Sequence, residues 1–282
     1  MPTDPSSSAL HGSTGIGTED GRPLYLAPSE ETWVGLDGAA LRVSRLARAD
    51  QLFPLRRIGR IYSSRRADWE TGALIACAEQ GIPVIFMSDD GEVLARLLGR
   101  PGERDELRNR LIPFLLRPES LGMLQHWLQT HRRRAARWAA GKLRLGSQIA
   151  DIAWVRETIN AQTQYFAGEA AARQTRQWLR ALAYAWMEEH LNDLGLGRST
   201  ELAQAGRPSL AAELTDIFYW YLEPARHGWL KRRFLAAKRK GQPVVAPSHR
   251  DVVWLFESRA LKAAARGREI TANLHRWLIH EV

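Results

Sequence analysis

The chain has 282 residues, 45% hydrophobic and 25% charged, ordinary values for a globular protein with room for two domains. Forty Lys and Arg against 31 Asp and Glu give a net charge of +9 and an isoelectric point near 10.2, which points to an anionic partner, nucleic acid before membrane. A single cysteine excludes an intrachain disulfide and a multi-cysteine zinc site, and no stretch approaches the roughly 18 apolar residues of a membrane span.

Residues 1–20 are rich in Ser, Thr and Gly and lack an apolar signal core, so they read as a disordered leader on a cytoplasmic protein. Residues 24–26, 32–36 and 41–43 read as short strands, with a tight hairpin signal at Asp37-Gly38. A strand at 57–62 follows, then helical spacing over 68–80 that stops at Gly81. Cys77 lies in this apolar helix and is expected to be a buried, inert thiol. A buried strand at 82–87, a turn at Asp89-Asp90-Gly91 and a closing strand at 92–97 complete a mainly β domain over 21–98.

The tract 99–102 reads as a linker, and 103–282 as all helical. Helical runs are predicted at 119–141, 147–165, 169–194, 209–222, 228–240, 252–266 and 270–279. The predicted class is therefore α+β, an N-terminal mainly β domain followed by an all-α C-terminal domain. Charge divides the same way: residues 1–100 carry a net −2 and residues 101–282 a net +11.

Within the helical part, Arg132, Arg133, Arg134 and Arg137, followed by Lys142 and Arg144, place cations around one helix. Dense like charge repels itself, and phosphates relieve it by releasing condensed counterions. A solvated helix face is the competing explanation, but Trp138 among these cations and a second cluster at Lys231, Arg232 and Arg233 favour nucleic acid. Glu213 and Asp216 sit three apart on a predicted helix and share a face, where their repulsion suits a hard divalent cation; most pairs so spaced are merely solvated. The eight histidines form no metal-binding pair of apt spacing, and Trp178, Trp186 and Trp220 fall on apolar helix faces as core residues. There is no phosphate-cradling glycine loop, nucleophile elbow or zinc fingerprint.

The order of elements resembles the CRISPR adaptation integrases, the Cas-one family. The resemblance is carried by Leu24-Tyr25-Leu26 with Leu36-Asp37-Gly38, by Glu79-Gln80-Gly81-Ile82-Pro83-Val84, and by Ala136-Arg137-Trp138 through Gly141-Lys142-Leu143-Arg144. Its most specific piece is Gly206-Arg207-Pro208-Ser209-Leu210 leading into Glu213 and Asp216. It implies a divalent-metal-dependent (Mg2+ or Mn2+) DNA endonuclease and integrase that inserts spacer DNA into the CRISPR repeat by 3′-hydroxyl attack on a phosphodiester. It also implies double-stranded DNA as substrate, a homodimer formed through the β domain, a small Cas-two partner, and no membrane.

The family's site combines a glutamate, a histidine and a later acid. By position the later acid is Asp216, with Glu213 beside it, and the first glutamate matches Glu169. Where the histidine belongs the sequence reads Arg198-Ser199-Thr200-Glu201-Leu202, so Glu201 stands in its place. The resemblance thus assigns Glu169, Glu201 and Asp216 as catalytic, with Glu213 added as a metal ligand. It assigns phosphate contacts to Arg132, Arg133, Arg134, Arg137, Lys142, Arg144, Arg207, Lys231, Arg232 and Arg233. The missing imidazole opens an alternative: an inactive DNA-binding paralogue, a structural subunit of the adaptation complex beside an active paralogue.

Overall fold

Short strands with alternating burial build the first part of the computed structural model, which describes residues 22–26, 31–46, 48–99, 106–146, 151–196 and 209–281. One sheet takes β1 (Arg22–Leu26), β5 (Ile58–Ser64), β7 (Val84–Met87) and β8 (Val93–Leu97) in that spatial order, parallel except for the antiparallel β7–β8 pair. The other runs β4 (Gln51–Pro54), β3 (Ala40–Arg45), β2 (Thr32–Asp37), β6 (Ala67–Trp69), with β2 and β3 joined by the predicted hairpin. Gly38 turns that hairpin at φ 56°, a left-handed conformation that favours glycine.

Alternation along β7 divides its side chains between two cores. Val84 packs with Val34, Leu41, Ile61 and the helix α1 (Thr71–Glu79), whereas Ile85 and Met87 join the core of the helical region. Cys77 is fully buried on α1, and burial pushes its thiol up to about 11, as an inert core cysteine requires.

The helical region holds α2 (Glu106–Leu115), α3 (Ser120–Leu143), α4 (Ile152–Ala167), α5 (Glu169–Asp193), α6 (Leu210–Arg239), α7 (His249–Glu257) and α8 (Ala260–Glu281). The predicted fold class holds. Four local expectations do not. Residues 67–69 pair with β2 as a strand before the helix starts, and α2 forms in a stretch without a predicted helix. The helices predicted at 209–222 and 228–240 are one element, α6, which runs through Pro224 and Gly228. Proline in a helix interior costs about 3 kcal/mol. Burial of Phe218, Leu222 and Leu230, each worth about 1.5–3 kcal/mol, outweighs that cost against α3, α4, α5 and α8. Conversely, the run 252–266 breaks at Ser258 between α7 and α8. A reciprocal capping box, Ser248 with Asp251, fixes the start of α7.

Polar contacts fasten the sheets to the helices. Arg60 on β5 donates to Glu189 on α5 at 3.0 Å and to Glu257 on α7 at 3.2 Å, and the Tyr62 hydroxyl donates to Glu257 at 2.6 Å. Arg96 on β8 pairs with Glu188 at 2.8 Å, and the Trp178 indole donates to the Asp90 carbonyl. The indole can approach because residue 91 is glycine: a Cβ there would collide with Trp178 and His249. Among the described residues, no helix is long and apolar enough to cross a membrane.

Candidate nucleic-acid interface

The first turns of α6 carry the acidic pair. Glu213 and Asp216 lie one turn apart, so both project toward α3 and α5. Arg132 of α3 donates to Glu213 and lies 3.8 Å from the Asp216 carboxylate. Arg180 of α5 donates to the other Asp216 oxygen at 2.5 Å. Two guanidiniums thus occupy the face that the two carboxylates share.

Glu169 is elsewhere. It opens α5, is 73% exposed, and pairs only loosely with Arg173 at 3.4 Å. Arg180, the α5 residue that meets Asp216, is eleven positions further along, about 16 Å at helical rise. Glu201 and Arg207 lie outside the described residues.

Among the described residues, which do not include Glu201, the two carboxylates do not offer an open divalent-metal site. Magnesium or manganese needs several oxygen ligands within about 2.0–2.6 Å, and these carboxylates are committed to guanidinium. Among the described residues, no three His, Cys, Asp or Glu side chains come together as a metal cluster. Glu169 and Asp216 keep separate partners, Arg173 for the first and Arg180 with Arg132 for the second.

Beside the pair lies a cleft of about 90 Å³ walled by Arg156, Arg176, Arg180, Asp216, Trp220 and Glu223. Arg156 comes from α4, where its guanidinium lies over the Trp220 ring at 5.5 Å. Burial, and then repulsion from the neighbouring Arg176, lower its pKa below the ordinary guanidinium value. Arg176 donates to the Asn160 side chain at 3.1 Å. Under the cleft, Glu223 accepts from the fully buried Arg226 at 2.9 and 3.3 Å, while Arg226 also donates to the Ala172 carbonyl at 3.0 Å. Four guanidiniums here face two carboxylates, so the local charge is positive.

The other expected phosphate contacts divide by position. Arg133 and Arg137, one helical turn apart and exposed, line a groove of about 620 Å³ between α3 and α4 that also includes Arg156. Arg134, Lys142 and Arg144 are exposed on α3 or at its end, with Lys142 5.9 Å over Trp138. Lys231 and Arg232 are exposed on the last turns of α6. Arg233 is half-buried, donating to the Val245 carbonyl at 3.2 Å. Arg132 is a clamp on the acidic pair rather than an open phosphate contact. Arg156, Arg176 and Arg180 were missed in sequence. Their only signal is the one-turn spacing of 176 and 180, since Arg156 comes from a different helix.

Comparison with known proteins follows the same lines. No curated protein matches the chain by sequence. Among solved structures, a Cas1 protein from Thermotoga maritima has a TM-score of 0.63 at 14% identity, covering 92% of this chain and 96% of that one. A casposase bound to integration product gives 0.63 at 13% identity, with 90% and 91% covered. A Cas6-RT-Cas1–Cas2 complex gives 0.53 at 13% identity, covering 95% of this chain and 36% of the longer one. These likenesses establish a shared fold. The sequence profile described as "CRISPR associated protein Cas1" matches residues 25–183, more than half of the sequence. The chain therefore belongs to the CRISPR-associated Cas1 family.

Proposed function

We propose that this chain serves CRISPR adaptation as a DNA-holding subunit of Cas1 type whose acidic pair is not a metal centre. The carrying observation is the double guanidinium occupancy of Glu213 and Asp216 by Arg132 and Arg180. Double-stranded DNA, either spacer precursor or repeat, docks on the cations of α3 and the α3–α4 groove, with Lys231 and Arg232 as a second contact. The likeness to a casposase bound to integration product and to a Cas1–Cas2-containing complex supports this setting, with a small Cas2 protein as partner. The β-rich region supplies the homodimer contact, for which Trp33, 39% exposed, and Leu52, 58% exposed, offer apolar surface.

A second reading, a metal-dependent integrase, is favoured by the retention of Glu213 and Asp216 one turn apart on the helix that follows Glu201. In that reading Mg2+ or Mn2+ would be held by Asp216, Glu213 and Glu201 once the guanidiniums withdrew. Manganese-dependent strand transfer on labelled DNA separates the two. The structural subunit binds duplex DNA with no turnover, and Asp216→Ala leaves its affinity within about threefold. Turnover abolished by Asp216→Ala establishes the integrase instead.

A further inference from the structure

We infer that the cleft between α4, α5 and α6 is a phosphate site in which Arg156, Arg176 and Arg180 bind the anion that a metal would otherwise bridge to the protein. The inference rests on the proposed DNA-holding role and specifies how one phosphate is gripped. Three observations carry it.

First, the charge is unbalanced in the direction of an anion. Glu223 pairs with Arg226 beneath the cleft and Asp216 pairs with Arg180 and Arg132, so Arg156 and Arg176 share the attraction of two carboxylates that other guanidiniums already hold, and cations outnumber acids. Among the described residues, no carboxylate lies within ion-pair distance of Arg156. Second, the donors are held in place. Arg156 is stacked over Trp220 and Arg176 is tethered by Asn160, so their remaining N–H groups are oriented before a ligand arrives. Planar guanidiniums held this way match tetrahedral phosphate oxygens in paired hydrogen bonds.

Third, size and connection select the ligand. About 90 Å³ accommodates a single phosphate group, with no room for a base and its sugar together. Arg156 also lines the larger α3–α4 groove with Arg133 and Arg137, so a strand lying in that groove reaches the cleft with one of its phosphates. The ligand chemistry is a phosphate oxyanion, from a nucleic-acid backbone or from free phosphate.

The test uses the full chain and three calorimetric titrations: inorganic phosphate, a single-stranded oligonucleotide, and MnCl2. Phosphate is expected to bind at one site per chain. Arg156→Gln with Arg176→Gln should weaken it at least about tenfold, and the double lysine variant should recover part of the loss. Circular dichroism and denaturation midpoints check that each variant folds. Displacement of phosphate by the oligonucleotide identifies the backbone as the source; its failure to compete identifies free phosphate, and either supports the site. Phosphate affinity unchanged in the folded double glutamine variant overturns the inference. So does stoichiometric Mn2+ binding that Asp216→Asn removes. The outcome is separable from the proposed function: Arg133→Gln with Arg137→Gln weakens duplex binding while leaving phosphate affinity intact. Absence of any duplex binding by the native chain would sink the function but not the phosphate site.

Discussion

At the residue scale, Arg132 and Arg180 decide what Glu213 and Asp216 can do. Removing both with Arg132→Ala and Arg180→Ala should restore open carboxylates and strengthen Mn2+ binding at least about tenfold over the native chain, read by calorimetry. No gain would mean that the cations are not what blocks the pair. The sequence made the acidic pair legible, because three-residue spacing on an amphipathic run places both groups on one face. It also exposed the α3 cations, because a dense run of like charge with Trp138 among it favours phosphate over a merely solvated helix face. It could not reveal the arginine cleft, whose members come from separate helices and meet only when α4 and α5 pack along α6. Nor could it show that Asp216 meets Arg180, about 16 Å along α5 from Glu169, since that depends on how the helices align.

At the element scale, α6 organises the helical region. Its Glu223–Arg226 pair is fully enclosed, and removing one partner leaves an uncompensated buried charge. Glu223→Ala should therefore cost about 3–5 kcal/mol in urea denaturation, and the double variant with Arg226→Leu should cost less than the two single changes together. Burial of α8 offers a steric counterpart. Gly267 lies under the Trp186 ring, so Gly267→Ala should force that ring aside and destabilise the fold by about 1–3 kcal/mol. Wild-type stability in that variant would show that Trp186 has room to move. Element boundaries were the part least legible in sequence. Proline and glycine predicted a break at 224–228, but lateral burial overrides such local preferences when a helix is packed on several sides. The strand at 67–69 was hidden for the opposite reason: three residues carry little pattern, and only pairing with β2 defines them.

At the scale of the whole molecule, the two regions are joined through Arg60, Tyr62, Trp178 and the Tyr25–His249 hydrogen bond of 3.1 Å. Burial pushes both His249 and His190 down to about 4 from an ordinary value near 6.5, so each binds fewer protons folded than unfolded. Their neutral state supports the fold fully above about pH 6.5, and stability falls as pH drops from there toward 4. Denaturant midpoints at pH 7 and pH 5 should show this loss, and His249→Gln with His190→Gln should flatten it. An equal slope in that variant would place the acid sensitivity elsewhere.

The unbroken course of α6 gives the molecule a mechanical property. Thirty residues make a rod of about 45 Å, with Glu213 and Asp216 at one end and Lys231 to Lys240 at the other. With no break at Gly228, the rod joins its basic tip to the arginine clamp at the far end through one continuous run of helical hydrogen bonds. A two-glycine insertion after Gly228 should uncouple these ends, so that DNA still binds the tip but no longer alters the fluorescence of Trp220.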